Sequence, residues 1–437
     1  MDVALGDPLP QDPDSDFVIV NIVGDWAPAS GETAGEIGRT GRMYYGPLAK
    51  WFDTGDLNVV NVETVVVAET PDIETAPRTA PCFVDSMASA KTLRDAGVNL
   101  ACLANNHSFD ADVEGLSETQ RCLSALGICS IGAGIDPKEV YRPYVFQRAG
   151  VRLAIFNVAD GIEGSERYNN GIGIADIESY KLWEAIVREK SLGSVVIVIA
   201  HAGAVFCPVP PPFLQRLYRQ LLDQGADAVV GHHPHVVQGY EVHDGRPIFY
   251  SVGHFGIHRR TSRTAEQIGI MVNLKICSKG IRQARISPFF IERSCIRALT
   301  ESERIDFALV LEKLCKALGR DMLEAIWHEY IRQKPPILTF LRIVIAHVAN
   351  AERADQIVRG QALSMVNRFM INDAVMTPRI PTVNYDDKMI LDIYGFGWKR
   401  LPWSERIFLM GRNSMSWLRV IWGGGMRMAR NIKRRWI

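Results

Sequence analysis

The run Gly231-His232-His233-Pro234-His235 follows a short apolar segment, residues 228–230. It holds three of the ten histidines of this 437-residue chain, and seven of the ten fall between His201 and His258. An apolar segment too short for a helix indicates a buried strand, which places these histidines just beyond a strand end. The run therefore predicts a functional site at the edge of a sheet.

Other short apolar segments are also followed by polar residues. The predicted strands are residues 17–23, 57–62, 98–103, 152–158, 195–200, 228–230 and 247–252. The polar residues after these strands are Asp25, Glu63, Asn105, Asn106, His107, His201, His233, His235 and His254. Because ligands gather at the carboxyl ends of strands in α/β folds, we expect these side chains to converge on one site.

Helical patterns alternate with the predicted strands. Three of them, residues 86–96, 115–126 and 212–224, are each followed by glycine, the usual helix stop. This alternation predicts a layered α/β domain, which we place at residues 17–295. The other predicted regions are an acidic, disordered lead-in at 1–16, a mainly α-helical region at 296–398 and a basic tail at 399–437. Within the helical region, residues 301–332 have an amphipathic helical pattern.

The residue types at the predicted site point to metal chemistry. Imidazole, carboxylate and carboxamide groups together suit Mn, Fe or Zn and need no thiolate. Two such ions about 3.5 to 4 Å apart can clamp a phosphoryl group and activate water for in-line attack. Glu63 is placed to bridge the two ions, and His107 is placed to protonate the leaving oxygen. The predicted cofactor is a pair of divalent ions, and the predicted substrate is anionic or phosphorylated.

The motifs, taken in chain order, resemble one family. They are Gly24-Asp25, Asn61-Val62-Glu63, Ala104-Asn105-Asn106-His107 with Asp110, His201-Ala202-Gly203, the histidine run with Val236, and Tyr250-Ser251-Val252-Gly253. Over roughly residues 17–295 they resemble the bacterial capsule-synthesis or poly-γ-glutamate-synthesis (CapA-type) family of the calcineurin-like metallophosphatase superfamily. The resemblance implies a four-layer α/β/β/α sandwich and a role in making or transporting an extracellular polymer.

The resemblance also implies a metal ligand at each matching position. Asp25 and His235 would bind the first ion, and Glu63 would stand where the superfamily has its bridging carboxylate. The ligands of the second ion would be Asn106, His201 and His233. For each of these residues an ordinary structural role, such as a loop carboxylate, a turn asparagine or a hydrogen-bonding histidine, is the alternative.

Three further residues are expected to act around these ligands. His107 would be the general acid, with a purely structural hydrogen bond as its alternative. Asn105 and Asp110 are expected to support the ligands rather than bind metal, since such support orients a metal site. The role of His232 stays open between site residue and bystander.

The chain departs from the family pattern at several positions. The superfamily's first motif is usually Asp-x-His, whereas Ala27 stands at its third position here. Val205 stands where the family commonly has a glutamate, and Gly253-His254-Phe255 replaces a common Gly-Asn-Phe. We hypothesise that His254 restores a ligand or a supporting hydrogen-bond donor, with a plain structural histidine as the alternative; unchanged metal content in a His254→Ala variant would contradict it.

Composition restricts the class of protein. Lys+Arg and Asp+Glu both number 49, so no charge imbalance indicates a nucleic-acid partner. The start of the chain lacks the pattern of a signal peptide, and no apolar stretch of 18 or more residues indicates a spanning helix. The eight cysteines are scattered without a C-x-x-C pair. We expect a cytoplasmic protein, either free or peripheral at the inner membrane face.

The basic tail allows two interpretations. Residues 399–437 hold ten Lys or Arg and one acidic residue, Glu405, interleaved with tryptophans. Such a segment can lie on an anionic membrane surface, or it can form a helix packed on the domain with a solvated charged face. Lipid-vesicle sedimentation with and without residues 399–437 separates the two, and equal binding would contradict membrane contact.

Two classes of function therefore stay open. The first is a metal-dependent phosphoesterase-like hydrolase linked to capsule or poly-γ-glutamate biosynthesis. The second is a non-catalytic accessory that binds metal or polymer within a membrane-associated polymer synthesis complex. Ala27 and Val205 favour the accessory, whereas the retained metal-ligand types favour the enzyme.

Overall fold

The computed structural model describes residues 1–5, 16–30, 33–68, 83–160, 173–258 and 264–333. The strands in chain order are β1 (Asp2–Val3), β2 (Val18–Trp26), β3 (Leu57–Val62), β4 (Val65–Val67), β5 (Val84–Ser86), β6 (Leu100–Cys102), β7 (Cys129–Ile131), β8 (Ala133–Gly134), β9 (Tyr144–Arg148), β10 (Val151–Ala159), β11 (Gly173–Ile174), β12 (Val195–His201), β13 (Ala228–His232), β14 (Tyr240–His243), β15 (Arg246–Phe249), β16 (Ile268–Cys277), β17 (Gly280–Ile291) and β18 (Ile296–Ala298). The helices are α1 (Ala34–Thr40), α2 (Pro47–Phe52), α3 (Met87–Ala96), α4 (Asp112–Ala125), α5 (Pro137–Val140), α6 (Tyr180–Ser191), α7 (Pro212–Asp223), α8 (Glu301–Lys316) and α9 (Arg320–Gln333). Short 3₁₀ segments lie at Pro28–Ser30, Gly41–Tyr45 and Thr264–Gln267.

Two main sheets form the framework of the described residues. The first has the strand order β1-β17-β16-β2-β3-β6-β7, with β18 paired to β17, and the second has the order β14-β15-β13-β12-β10-β9. The pairs β2–β3, β3–β6 and β6–β7 are parallel, and so are β10–β12, β12–β13 and β13–β15. Each sheet therefore has a parallel centre whose carboxyl ends can carry a site.

The alternation of apolar side chains along the central strands builds the layers. In β3, Leu57 and Val59 belong to the core between the two sheets, whereas Val60 and Val62 belong to the core under α1–α4. The outer face of the second sheet packs against α6 and α7 in a third core. The layers thus run helix, sheet, sheet, helix, which confirms the predicted α/β/β/α fold.

Local sequence signals explain where α3 begins and ends. The Ser86 side chain accepts a hydrogen bond from the Ser89 N–H at the start of α3, as an N-cap should. Gly97 ends the same helix in a left-handed conformation with φ of 104°, which favours glycine. The helix predicted at 86–96 matches α3 closely, while α4 begins three residues before the predicted 115.

Two predicted strands are longer than the sequence pattern suggested. Strand β2 continues to Trp26 through a register shift between Val23 and Asp25, and β13 continues to His232. The apolar pattern ends earlier because the site residues interrupt it, although the backbone pairing continues. The strand predicted at 247–252 instead ends at Phe249, after which Val252 makes only an isolated bridge.

The predicted region boundaries need two corrections. The disorder expected for residues 1–16 is wrong for Asp2–Val3, which pair with β17 because Val3 is buried there and Asp2 contacts Arg285. The α/β domain extends past residue 295, since β18 still belongs to the first sheet.

Residues 301–332, predicted helical, form α8 and α9. Residues 6–15, residues 334–398 and the tail lie outside the described residues. Within the described part, no helix has the length and apolarity to cross a membrane.

Candidate metal centre

Four donor atoms meet where β3, β6, β12 and β13 end. His201 Nε2 lies 2.9 Å from Asn106 Oδ1, 3.0 Å from His233 Nδ1 and 3.5 Å from Glu63 Oε1. Ligand atoms bound about 2.0–2.2 Å from one ion stand about 3.0–3.5 Å apart, so these spacings fit a single coordination sphere. Two nitrogens, a carboxamide oxygen and a carboxylate oxygen are suitable donors for a divalent transition metal.

A second group of donors adjoins the first through Glu63. His235 Nδ1 lies 3.3 Å from Asp25 Oδ2, and His235 Nε2 lies 3.6 Å from Glu63 Oε1. Donor atoms of Glu63, His233 and His235 all lie within 4.8 Å of one another. Glu63 thus stands between the two groups, as a residue bridging two ions must. The chemistry of the donor set fits the predicted pair of ions.

The backbone near both donor groups has two positive φ angles and one very close contact between segments. His233 and His235 have φ angles of 94° and 60°, a region that non-glycine residues rarely occupy and that costs about 1–3 kcal/mol each. These bends aim both imidazoles into the site from one short loop. A Cβ at Gly24 would overlap the Gly253 carbonyl oxygen, so only glycine at position 24 allows the Gly253–His254 segment to lie so close to β2.

His232 connects the two sheets beside the site. It follows Ala228 and Val230 on the face of β13 that packs between the sheets, and its Nε2 donates to the Val23 carbonyl at 3.0 Å. Val23 belongs to the first sheet and His232 to the second. This hydrogen bond gives His232 a structural task, holding the two halves of the site together.

Asp110 and Phe83 fix the orientation of His107. His107 Nδ1 lies 2.8 Å from Asp110 Oδ2, which leaves Nε2 facing Glu63 Oε1 at 4.0 Å. The Phe83 ring packs on His107 with centroids 4.2 Å apart, and the Phe83 N–H also donates to Asp110 at 2.9 Å. The histidine is thus held at the edge of the metal centre rather than within it.

Two buried asparagines, Asn61 and Asn105, make hydrogen bonds next to the candidate ligands. Asn61 Nδ2 donates to Asp25 Oδ1 at 2.8 Å and lies 3.1 Å from His201 Nδ1. Asn105 Nδ2 donates to the Val62 carbonyl at 2.9 Å, and its Oδ1 accepts from the His107 N–H at 3.1 Å. The Asn61 bonds fix the orientation of two candidate ligands, whereas the Asn105 bonds hold the backbone next to Glu63 and at His107. Such support strengthens a metal site.

Burial and charge prepare the ligands for metal binding. Burial alone would raise the pKa of Asp25, but the His235 hydrogen bond and the neighbouring His232, His201 and His235 lower it below its usual range. Burial, helped by the charge of His233, holds the pKa of His201 well below its usual range. An ionised carboxylate beside a neutral imidazole is the form in which both bind a cation.

Asp85 holds the short 3₁₀ segment Pro28–Ser30, which follows β2. Its carboxylate accepts from the Ala29 N–H at 3.1 Å, yet burial raises its pKa from 3.8 to about 6. Between pH 4 and 6 the Asp85 carboxyl group is therefore protonated to a greater extent in the folded state than in the unfolded state. The stability that this protonation contributes is lost as the pH rises through that window.

An Asp85→Asn variant is expected to lack this loss, because an amide keeps the acceptor and carries no charge. We expect the free energy of unfolding of the variant, relative to the native chain, to rise by up to about 3 kcal/mol from pH 4 to pH 7. Urea denaturation at both pH values measures this difference. A difference independent of pH would contradict the assignment.

The structure brings the sequence-predicted residues together. Those around the metal centre are Asp25, Glu63, Asn105, Asn106, His107, Asp110, His201, His233, His235 and His254. Sequence reasoning gave no role to Asn61, although an asparagine inside an apolar strand demands a buried partner. It also missed Phe83, for which the sequence offers no signal. Outside the centre, an exposed group of Asp223, His243 and Asp244 has metal-like spacing.

Comparison with known proteins gives the family. Residues 18–258, more than half of the chain, match the family model described as bacterial capsule synthesis protein PGA_cap. The chain belongs to this family. All the candidate metal ligands lie inside the matched residues, whereas α8 and α9 lie outside them.

Three curated proteins resemble the chain over about half its length. The PGA biosynthesis protein CapA of Bacillus subtilis is 28% identical over 208 residues, 47% of this chain and 54% of that protein. The capsule biosynthesis protein CapA of Bacillus anthracis is 28% identical over 241 residues, 54% and 57%. A probable polyglutamine synthesis accessory protein of Mycobacterium tuberculosis is 27% identical over 213 residues, 45% and 54%. The chain thus spans about half the length of the curated relatives that it matches.

Proposed function

We propose that this PGA_cap family member is a metal-dependent phosphoesterase-like hydrolase that serves the biosynthesis of capsule or poly-γ-glutamate. The observation that carries the proposal is the convergence of Asn106, His201 and His233 with Glu63, joined through Glu63 to Asp25 and His235. The names of the curated CapA relatives support the biological setting.

The proposed mechanism assigns a task to each part of the site. Glu63, Asn106, His201 and His233 would hold one divalent ion, and Asp25, His235 and Glu63 would hold the other. Two ions there would supply Lewis-acid polarisation of a bound phosphoryl group. Asn61 and Asn105 keep the ligands in place, so that the substrate is bound without rearrangement of the centre.

His107 would move the proton. Its Nδ1 is engaged with Asp110, so Nε2 is the nitrogen left to protonate the leaving oxygen. Phe83 packs on the imidazole and restricts its rotation. His107 and Asp110 thus form a positioned acid beside, and separate from, the metal ligands.

The test combines metal analysis with turnover. We expect the purified chain to bind two equivalents of Mn, Fe or Zn per molecule and to hydrolyse at least one member of a panel of phosphomonoesters and phosphodiesters. Elemental analysis measures the bound metal, and turnover is followed as phosphate release from the monoesters and as release of the leaving alcohol from the diesters. A metal-free protein with no turnover would contradict the proposal.

The second candidate function is a non-catalytic accessory of a membrane-associated polymer synthesis complex. Ala27 and Val205 favour it, and so does the name of the Mycobacterium tuberculosis relative. Two bound ions without turnover on any substrate of the panel would favour this candidate over the enzyme. Contact of the basic tail with a membrane surface is part of the same proposal.

A further inference from the structure

His254 lies against Asp25 at the first-ion side of the centre. The two residues form an isolated parallel bridge, in which the Asp25 N–H donates to the Gly253 carbonyl and the Phe255 N–H donates to the Asp25 carbonyl. The His254 ring is buried, and its centroid lies 4.7 Å from that of His235. The backbone that positions Asp25 therefore also positions His254.

One hydrogen bond sets which nitrogen of His254 can bind a cation. Nδ1 lies 3.0 Å from the Glu266 carbonyl oxygen, which can only accept, so Nδ1 carries the proton. In the neutral ring Nε2 then carries the lone pair. A histidine that binds metal through one nitrogen typically donates from the other to a carbonyl or carboxylate, as His254 does.

The two ions of the proposed centre are unequally supplied with ligands. One has Asn106, His201 and His233 with Glu63, whereas the other has Asp25 and His235 with Glu63. Ala27, two residues after Asp25, has no donor side chain. The poorer side is the side on which His254 lies.

We propose that His254, through Nε2, is a ligand of the ion held by Asp25 and His235. The proposal rests on the proposed dinuclear centre and adds a fourth protein ligand to its first ion. Because the ring is fixed by the Glu266 carbonyl, it offers the lone pair without an ordering cost on binding.

The experiment titrates metal-depleted protein with Mn²⁺ and with Zn²⁺ by calorimetry and records the melting temperature with and without metal. In His254→Ala we expect one of the two ions to bind at least tenfold more weakly, with the other unchanged. The stabilisation of the folded chain by metal should fall accordingly, because it follows the ratio of metal concentration to Kd. His254→Asn, with a smaller change in side-chain volume, should show the same selective loss.

One control variant completes the experiment, and three outcomes would contradict the proposal. His243→Ala removes the partly exposed histidine near Asp223 and should leave both high-affinity ions in place. If the native chain binds two ions and the His254 variants bind both with unchanged affinity, the ligand assignment is wrong, whereas the proposed function is unaffected. If the metal-free variants have a lower melting temperature but bind both ions with unchanged affinity, the role of His254 is structural only. Native chain that binds no metal overturns both proposals.

Discussion

Replacing Glu63 with glutamine is expected to remove at least one of the two metal ions and to lower kcat by about 10³-fold or more. The carboxylate is the element shared by both donor groups, since its Oε1 lies 3.5 Å from His201 Nε2 and 3.6 Å from His235 Nε2. The amide of glutamine offers a single neutral oxygen, so the variant loses several kcal/mol of charge stabilisation at the two ions. Elemental analysis and steady-state kinetics measure the two effects.

The stability of metal-depleted protein gives this prediction a distinctive signature. Glu63 is almost completely buried, and Asp25, the other carboxylate of the centre, is completely buried. Without a cation, burial of two carboxylates in one site costs free energy, so the metal-depleted Glu63→Gln variant should be at least as stable as the native chain. Adding metal should then stabilise the native chain much more than the variant.

A matched control is a buried glutamate outside the centre. Glu189 is also buried, but it contacts Arg152 at 3.1 Å and Ser194 at 2.8 Å. Glu189→Gln should lower stability, because it removes the buried carboxylate that pairs with the partly exposed Arg152, and it should leave metal content unchanged. If Glu63→Gln keeps both ions, or if Glu189→Gln loses them, Glu63 is not the bridging residue.

The sequence predicted the fold because each layer has a local signal. Short Val- and Ile-rich segments such as residues 57–62 and 195–200 are too short for helices, and glycines such as Gly97 mark helix ends. The convergence of these polar residues was predictable for the same reason, since each of them lies shortly after the end of such a segment. Positions in three dimensions then follow from the rule that carboxyl ends of parallel strands share one edge.

Contacts between distant segments could not be predicted in this way. Phe83 reaches His107 only because β5 lies beside β4, and nothing near residue 83 indicates that pairing. Helices α8 and α9 form one apolar cluster with Cys207 and Val236, which belong to the loops around the centre. Val236 directly follows the predicted ligand His235. The amphipathic pattern of residues 301–332 predicted the helices, but it contains no information about which surface they cover.

Replacing His107 with glutamine is expected to lower kcat by about 10²- to 10⁴-fold while leaving metal content unchanged. The reason lies in the geometry of the ring, since Nδ1 is engaged with Asp110 and Nε2 lies 4.0 Å from Glu63 Oε1. Glutamine keeps polarity and approximate length but has no titratable nitrogen. The readouts are kcat and the metal equivalents of the same preparation.

The choice of leaving group makes the test of His107 specific. A nitrophenolate leaves without help from an acid, whereas an alkoxide needs a proton as the P–O bond breaks. His107→Gln should therefore slow the hydrolysis of alkyl phosphates much more than that of nitrophenyl phosphates. Asp110→Asn should show the same preference with a smaller loss, because it disturbs the orientation of the ring and keeps the imidazole.

The control for His107 is Phe83→Leu, which keeps an apolar side chain beside the ring and the backbone N–H that donates to Asp110. It should reduce kcat only modestly. Equal losses for alkyl and nitrophenyl substrates in His107→Gln would contradict the role as general acid. Loss of a metal ion in that variant would instead identify His107 as a ligand, because a proton donor is not needed to hold the ions. The position of His107 at the edge of the centre favours proton transfer.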